Sequence, residues 1–325
     1  MASAKNTIRL GLFLGCLVIA VSIFTLGGVP YVTRQKRWSI GIYTGPSPFD
    51  LHAPRTVLNP VLSARDVSDV PAEFVADPFM IRKDSTWYLF FEVLNANSRR
   101  GEIGFATSSD ALHWRYGRIV LAEPFHLSYP YVFTFEHQYY MIPESGEARS
   151  VRLYKSEDFP TKWVLAATLL AGSAFADSSV VQHEDKWFLF TETSPYVNDT
   201  LGLYYADTIA GPWREHPKSP ILANSPHTSR PAGRVLTANG KLFRYAQDDS
   251  PSYGMRVFAF EITELTTATY QERPVSELPI LSPGADGWNA KGMHHVDAHQ
   301  VDENAWIACV DGAQGDWAVR FYSWR

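Results

Sequence analysis

One hairpin, written five times, governs what this chain can become. The unit is a short strand with a polar residue near its start, a polar turn, and an aromatic-rich strand ending in an acid or just before one. Its first copy runs Ala76-Asp77-Pro78-Phe79-Met80-Ile81-Arg82 and returns as Trp87-Tyr88-Leu89-Phe90-Phe91-Glu92. The later copies start at Ser128-Tyr129-Pro130, Ala176-Asp177-Ser178, Ser229-Arg230-Pro231 and His295-Val296-Asp297, and they return to Glu144, Glu192, Asp248 and Asp311. Asp77, Tyr129, Asp177 and Arg230 stand 52, 48 and 53 residues apart. Between the hairpins lie further β-type runs, each followed by an aromatic residue: Trp114, Trp163, Trp213 and Tyr270. Four short strands per repeat of about 40–50 residues is the pattern of a propeller blade. The expected fold is therefore all-β, a five-bladed β-propeller over residues 64–325, and a β-sandwich gives no reason for the period. The last unit is one strand short. The run Trp38–Thr44, within a linker at 33–63, is expected to supply it and close the ring.

Ahead of the propeller, residues 10–32 hold no charged side chain and are long enough to cross about 30 Å of hydrocarbon as a helix. A tail of 1–9 precedes them. A cleaved signal peptide is the rival reading, but its apolar region is about 7–15 residues and ends in a small-residue cleavage site. The expectation is an uncleaved anchor, a single-pass membrane protein with its globular part extracytoplasmic. Residues 1–37 carry five Lys or Arg and no acid, so the chain's net −5 leaves −10 on the remainder. An acidic domain of this kind excludes nucleic acid as a partner, which demands clustered positive charge. Cys16 and Cys309 are the only cysteines, too few for a thiolate metal centre.

Simple hairpin register sets Asp77 opposite Glu92, Tyr129 beside Glu144, Asp177 opposite Glu192 and Asp248 beside Pro231. Because the first strand of each blade lines the central channel, the polar ends of the hairpins should gather at one mouth of it. That ring holds Asp77, Glu92, Glu144, Asp177, Glu192, Arg230, Asp248, His294, His295, Asp297 and Asp311, with Tyr129 among them. A single acid at a strand end is ordinary turn chemistry. Five copies brought to one rim crowd like charge and raise carboxyl pKa values, as acid–base chemistry requires. Paired carboxylates across a cleft are the apparatus of glycosyl hydrolysis. Asp77 is the expected base or nucleophile, its backbone stiffened by Pro78. Glu144 or Glu192 is the expected acid, with Asp177 tuning it. Glu92, Tyr129, Arg230, Asp248, His294, His295, Asp297 and Asp311 are the expected substrate contacts. His295, Asp297 and His299 alternate onto one strand face, which invites a metal, yet no thiolate supports it; no metal and no cofactor are expected.

Several runs carry a resemblance: Asp77-Pro-Phe79, His126-Leu-Ser-Tyr-Pro-Tyr-Val132, Met141-Ile-Pro-Glu-Ser145, Tyr245-Ala-Gln-Asp248, His294-His-Val-Asp297 and Trp306-Ile-Ala-Cys-Val-Asp-Gly312. Over residues 70–312 the chain resembles the N-terminal domain of glucosamine inositolphosphorylceramide transferase. The resemblance implies a distant place in the five-bladed arabinanase, invertase and levansucrase superfamily, where a strand-initial Asp, matched here by Asp77, is base or nucleophile. In the plant proteins the transferase chemistry is attributed to a separate C-terminal domain. The family has Ser-Asp where this chain has Thr191-Glu192-Thr193, which moves the acid assignment toward Glu144. Three functions are thus expected to compete: an anchored glycosidase or transglycosylase acting on a sugar or glycolipid, a glycan-binding module serving an envelope glycosyltransferase, and a protein-binding scaffold.

Overall fold

The computed structural model describes the backbone of residues 28–323 and the side chains of 36–315. It contains five antiparallel four-stranded sheets. Blade 1 comprises β3 (Ala72–Lys83), β4 (Thr86–Asn95), β5 (Arg100–Ser108) and β6 (Arg115–Leu121). Blade 2 comprises β7 (Ser128–Phe135), β8 (Gln138–Glu144), β9 (Ser150–Asp158) and β10 (Lys162–Ala171). Blade 3 comprises β11 (Ala176–His183), β12 (Lys186–Glu192), β13 (Leu201–Ala206) and β14 (Arg214–Glu215). Blade 4 comprises β15 (Leu236–Ala238), β16 (Lys241–Asp248), β17 (Arg256–Leu265) and β18 (Tyr270–Pro274). Blade 5 joins the two ends of the chain in the order β19 (Val296–Asp302), β20 (Ala305–Ser323), β1 (Gly28–Ser47), β2 (Asp50–His52). A closed ring of sheets leaves few open strand edges, which suits a fold made almost wholly of strands.

The repeat in sequence has a repeat in physics. The hairpin turn of blade 4 falls at Asn239-Gly240, with φ of 50° and 73°, where left-handed backbone is cheap. The aromatic that follows the third strand fastens the outer turn in three blades. Trp114, Trp163 and Trp213 each donate their indole N–H to a carbonyl three or four residues earlier, at 3.0, 2.8 and 3.1 Å. Apolar faces of neighbouring blades then pack on each other. Phe79 and Phe90 of blade 1 share one core with Tyr131, Val132 and Met141 of blade 2 and Leu189 of blade 3. The innermost strands meet around the axis, β3 against β7 and β19, and β7 against β11.

The chain divides into two compact units, 37–314 and a second made of 1–36 and 315–325. The blades lie in the first. In the second, the described backbone is all strand, the first residues of β1 and the last of β20. Most of the expected helix at 10–32 lies outside the described residues. Its last five, 28–32, are extended instead, and Val29, Pro30 and Val32 are the residue types that resist helix. Among the described residues no helix is long and apolar enough to cross a membrane.

Candidate functional site

Three blades open with the same distortion. Ala76 pairs with Glu92 and Phe79 with Phe90, so two residues of β3 face one of β4. The same slip occurs between Ser128↔Glu144 and Tyr131↔Ile142, and between Ala176↔Glu192 and Ser179↔Phe190. These are β-bulges. The displaced residues, Asp77, Tyr129 and Asp177, all have left-handed backbones, with φ of 53°, 45° and 50°. For non-glycine residues this costs about 1 kcal/mol or more each, and such strain collects at functional sites. The bulge corrects the sequence expectation that Asp77 opposes Glu92, Asp177 opposes Glu192 and Tyr129 opposes Glu144. One extra residue re-aims each side chain.

Asp77 and Asp177 consequently point into one buried cluster. Asp77 Oδ2 accepts the Tyr129 backbone N–H at 3.3 Å, and the Asp77 N–H donates to Asp311 Oδ2 at 3.2 Å. Asp77 Oδ1 lies 3.8 Å from His294 Nδ1 and 3.9 Å from His295 Nδ1. Burial pushes the Asp77 carboxyl well up; His294 opposes this, while Asp177, Glu92 and Asp311 add to it. His294 is charged. Burial works against its proton, but Asp311, 2.7 Å from Nδ1, lifts the imidazole to about 9. Burial likewise opposes ionisation of Asp311, yet His294 and its backbone N–H hold that carboxyl below the usual range.

A second group adjoins the first. Arg230 donates from Nε to Asp177 Oδ2 at 2.6 Å, from one terminal nitrogen to Asn198 Oδ1 at 2.9 Å, and from the other to Glu144 Oε2 at 3.4 Å. Gln247 Nε2 also donates to Asp177 Oδ2, at 2.7 Å. Burial raises Glu144 most, Asp177 raises it further, and Arg230 only partly offsets them, so its carboxyl titrates at about 8. Aromatic rings form one wall: His294 stacks on Trp38 at 3.8 Å and meets the edge of Tyr253 at 5.2 Å, and Arg230 lies 5.1 Å over the Tyr253 ring. Glu92 is buried and 3.2 Å from His126 Nε2. Gly101 donates its N–H to His126 Nδ1 at 2.9 Å, which leaves the Nε2 proton facing Glu92.

Other expected site residues bond outside this cluster or beneath it. Tyr129 is fully buried, and its hydroxyl crosses the channel to accept from Gly233 N–H at 2.7 Å and to donate to Gly233 O at 2.9 Å. It is a buried pillar beneath the cluster. Glu192 accepts Ser194 N–H at 2.6 Å and Thr200 N–H at 3.2 Å, so its carboxylate staples the loop between β12 and β13. Asp248 pairs with His227 at 2.8 Å and accepts Ser250 N–H at 3.0 Å, again fixing loops. Asp297 belongs to another network along the channel, with Arg234 at 2.8 Å, His299 at 2.9 Å and Met80 N–H at 2.7 Å. Burial opposes its ionisation, but Arg234 and His299 keep it below the ordinary range. Gln247 and Asp249, neighbours of the expected Asp248, are the residues turned toward the cluster. Gln247 bonds Asp177, and Asp249 has its carboxyl raised by burial against the fields of Arg230 and His294. The clue was present in the run Tyr245–Asp249, read one residue out of phase. Trp38 and Asn198 carried no sequence signal of a place in this cluster.

Asp77, His294 and Asp311 place possible ligand atoms within 4.8 Å of one another. His294 Nδ1 and Asp311 Oδ2 form a close ion pair at 2.7 Å, with Asp77 Oδ1 3.8 Å from the same nitrogen. Among the described residues of the cluster, the buried atoms Glu92 Oε1, Gln247 Oε1, Asp249 Oδ2, His294 Nδ1 and both ring nitrogens of His295 have no aligned hydrogen-bond partner. Burial pushes His295 down to about 4, leaving a neutral ring that both donates and accepts. Such unpaired groups cost about 1–3 kcal/mol each, which a polyhydroxylated ligand or water would relieve.

A family profile described as "Glucosamine inositolphosphorylceramide transferase 1, N-terminal" matches residues 33–313. The chain belongs to this family. The protein named glucosamine inositolphosphorylceramide transferase 1 in Oryza sativa subsp. japonica is 36% identical over 299 residues, covering 86% of this chain and 40% of the rice protein. Its Arabidopsis thaliana namesake is 34% identical over 300 residues, covering 86% and 39%. The chain therefore spans about two fifths of the curated relatives it matches. Among solved structures, the catalytic domain of Coprinopsis cinerea GH62 α-L-arabinofuranosidase is 11% identical with a TM-score of 0.56, covering 86% of this chain and 97% of that one. The Podospora anserina α-L-arabinofuranosidase PaAbf62A, solved with cellotriose, is 12% identical with a TM-score of 0.52, covering 74% and 90%. At these identities the likeness is one of fold. This chain is thus a five-bladed propeller of the shape seen in those two arabinofuranosidases.

Proposed function

We propose that this mouth binds the sugar part of a glycan or glycolipid and cleaves or transfers a glycosyl group between two carboxyls. Glu144 is the proton donor and Asp77 the base or nucleophile. The observation that best supports this is the meeting of Asp77, Glu144 and Asp177 in one buried cluster where Glu144 titrates at about 8. An acid catalyst must hold its proton at working pH and release it to the leaving oxygen. Asp77, raised by burial, is a stronger base than an ordinary aspartate, and the His294 imidazolium at 3.8 Å favours its ionised form. It would attack the anomeric carbon or take the proton of an attacking water. Asp177, pinned by Arg230 and Gln247, acts through its charge on Glu144. The curated relatives' name makes a sphingolipid headgroup one ligand to try. An anchor over residues 10–32, an extracytoplasmic propeller and an envelope glycosyltransferase partner complete the reading.

A glycan-binding module without turnover is the second reading. One observation favours it: Arg230 already engages Glu144 and Asp177 in the free protein, an arrangement that holds a site's shape as readily as it drives chemistry. The two separate on a panel of aryl furanosides, aryl pyranosides and glycosylated inositolphosphorylceramides. Hydrolysis or transfer that vanishes in both Asp77→Asn and Glu144→Gln, with folding intact, supports the two-carboxyl mechanism. Binding without turnover moves the protein to the second reading, and turnover that survives Asp77→Asn removes Asp77 from the chemistry.

A further inference from the structure

The loop between β12 and β13 carries an aromatic residue that the fold does not use. Tyr196 is 95% exposed and Val197 beside it 63%. An aromatic ring stabilises a fold by leaving water, and this one has not left it. Yet the loop is firmly held. Glu192 clamps both its ends, Val197 and Asn198 both donate their N–H to the Ser194 carbonyl at 2.9 Å, and Ser194 Oγ donates to Asp199 at 2.6 Å. Asn198 takes a left-handed φ of 58°. Its carbonyl accepts from Ser229 Oγ at 2.9 Å, and its side-chain oxygen accepts from Arg230. Tyr196 is therefore two residues, at most about 7 Å of chain, from a residue bonded to the central arginine of the mouth.

Arg230 has Asn198 as one neighbour and the Tyr253 ring, 5.1 Å away, as another. Tyr253 also stands edge-on to His294, so it belongs to the inner wall. Tyr196 stands further out. We propose that Tyr196 is the outer sugar platform of the mouth. It stacks on the sugar next to the one that meets Asp77 and Glu144, so the site takes a glycan of two or more sugars over a monosaccharide. This rests on the reading of the mouth as a carbohydrate site. A sugar ring has an apolar C–H face and a polar edge, and an exposed tyrosine has an apolar face and a wet hydroxyl. Because the loop is already pinned, presenting the ring costs little further ordering. A protein partner would require a broad apolar patch, whereas here two adjacent side chains project alone from the loop.

The test compares the full chain with Tyr196→Ala and Tyr196→Phe on aryl mono-, di- and trisaccharides of the same sugars, by calorimetric titration. Tyr196→Ala should weaken the di- and trisaccharides about threefold to tenfold and leave monosaccharides within about twofold. Tyr196→Phe should match wild type, and all three proteins should unfold at the same temperature. If wild type binds the longer glycans and Tyr196→Ala binds them equally well, the platform is wrong and the mouth reading stands. If wild type binds none of the series, both fall together.

Discussion

Replacing Glu144 by Gln tests the electrostatics of the cluster without presuming any substrate. Gln is close to an isostere of a protonated Glu. Glu144 has its carboxyl raised from 4.5 to about 8, by burial first and Asp177 second. A folded pKa above the unfolded one means the fold prefers the protonated form. The stability tied to that preference is complete below pH 4.5 and is lost as pH rises through about 8. A tenfold change in proton affinity is worth about 1.4 kcal/mol, so the whole swing is at most about 4–5 kcal/mol. Glu144→Gln cannot ionise and escapes the loss. Urea denaturation at pH 5 and pH 9 should show the variant gaining on wild type by a few kcal/mol between the two. Asp177 and Arg230 remain in both proteins and largely cancel in the difference. A variant that is no better at pH 9 than at pH 5 would mean Glu144 is ionised in the fold and paired with Arg230 as an ordinary ion pair. The acid role would go with it.

Two further perturbations probe the frame around the site. Gly233 has φ of 143°, and a Cβ there would stand 1.9 Å from the Val296 carbonyl oxygen, so Gly233→Ala should cost about 3 kcal/mol or more and lower the thermal midpoint by well over 5 °C; an unchanged midpoint would contradict the close approach of blades 4 and 5. His294→Ala strips Asp311 of the cation 2.7 Å away and should destabilise by about 3–5 kcal/mol at pH 7. That loss should shrink above pH 9, where wild-type His294 surrenders its own proton, and a pH-independent loss would mean His294 acts only by packing on Trp38.

The fold was legible because a propeller repeats its physics. Each copy of the hairpin shows the same alternation, and three of the outer turns repeat the same indole clasp, so five weak signals add into one strong one. The site was legible only to the nearest residue. Hairpin arithmetic assumes one residue facing one, and it fails where a bulge inserts an extra one, as it does at Asp77, Tyr129 and Asp177. In blade 4 the register differs too: Pro231 pairs with Ala246 instead of Asp248, and it is Gln247 whose side chain reaches Asp177. Asn198 and Trp38 were beyond reach for a different reason. Their roles come from contacts 32 and 256 residues away along the chain, with Arg230 and His294, and no local pattern encodes them. The strain explains why these features coincide. Three non-glycine residues hold left-handed backbones in innermost strands, and Asp77 and Asp177 use that strain to aim carboxylates into a cluster that like charge alone would scatter. What keeps it together is Arg230 and His294, two cationic groups set among the carboxyls of Asp77, Glu144, Asp177 and Asp311, and burial first, with Asp177 adding to it, is what raises Asp77 and Glu144.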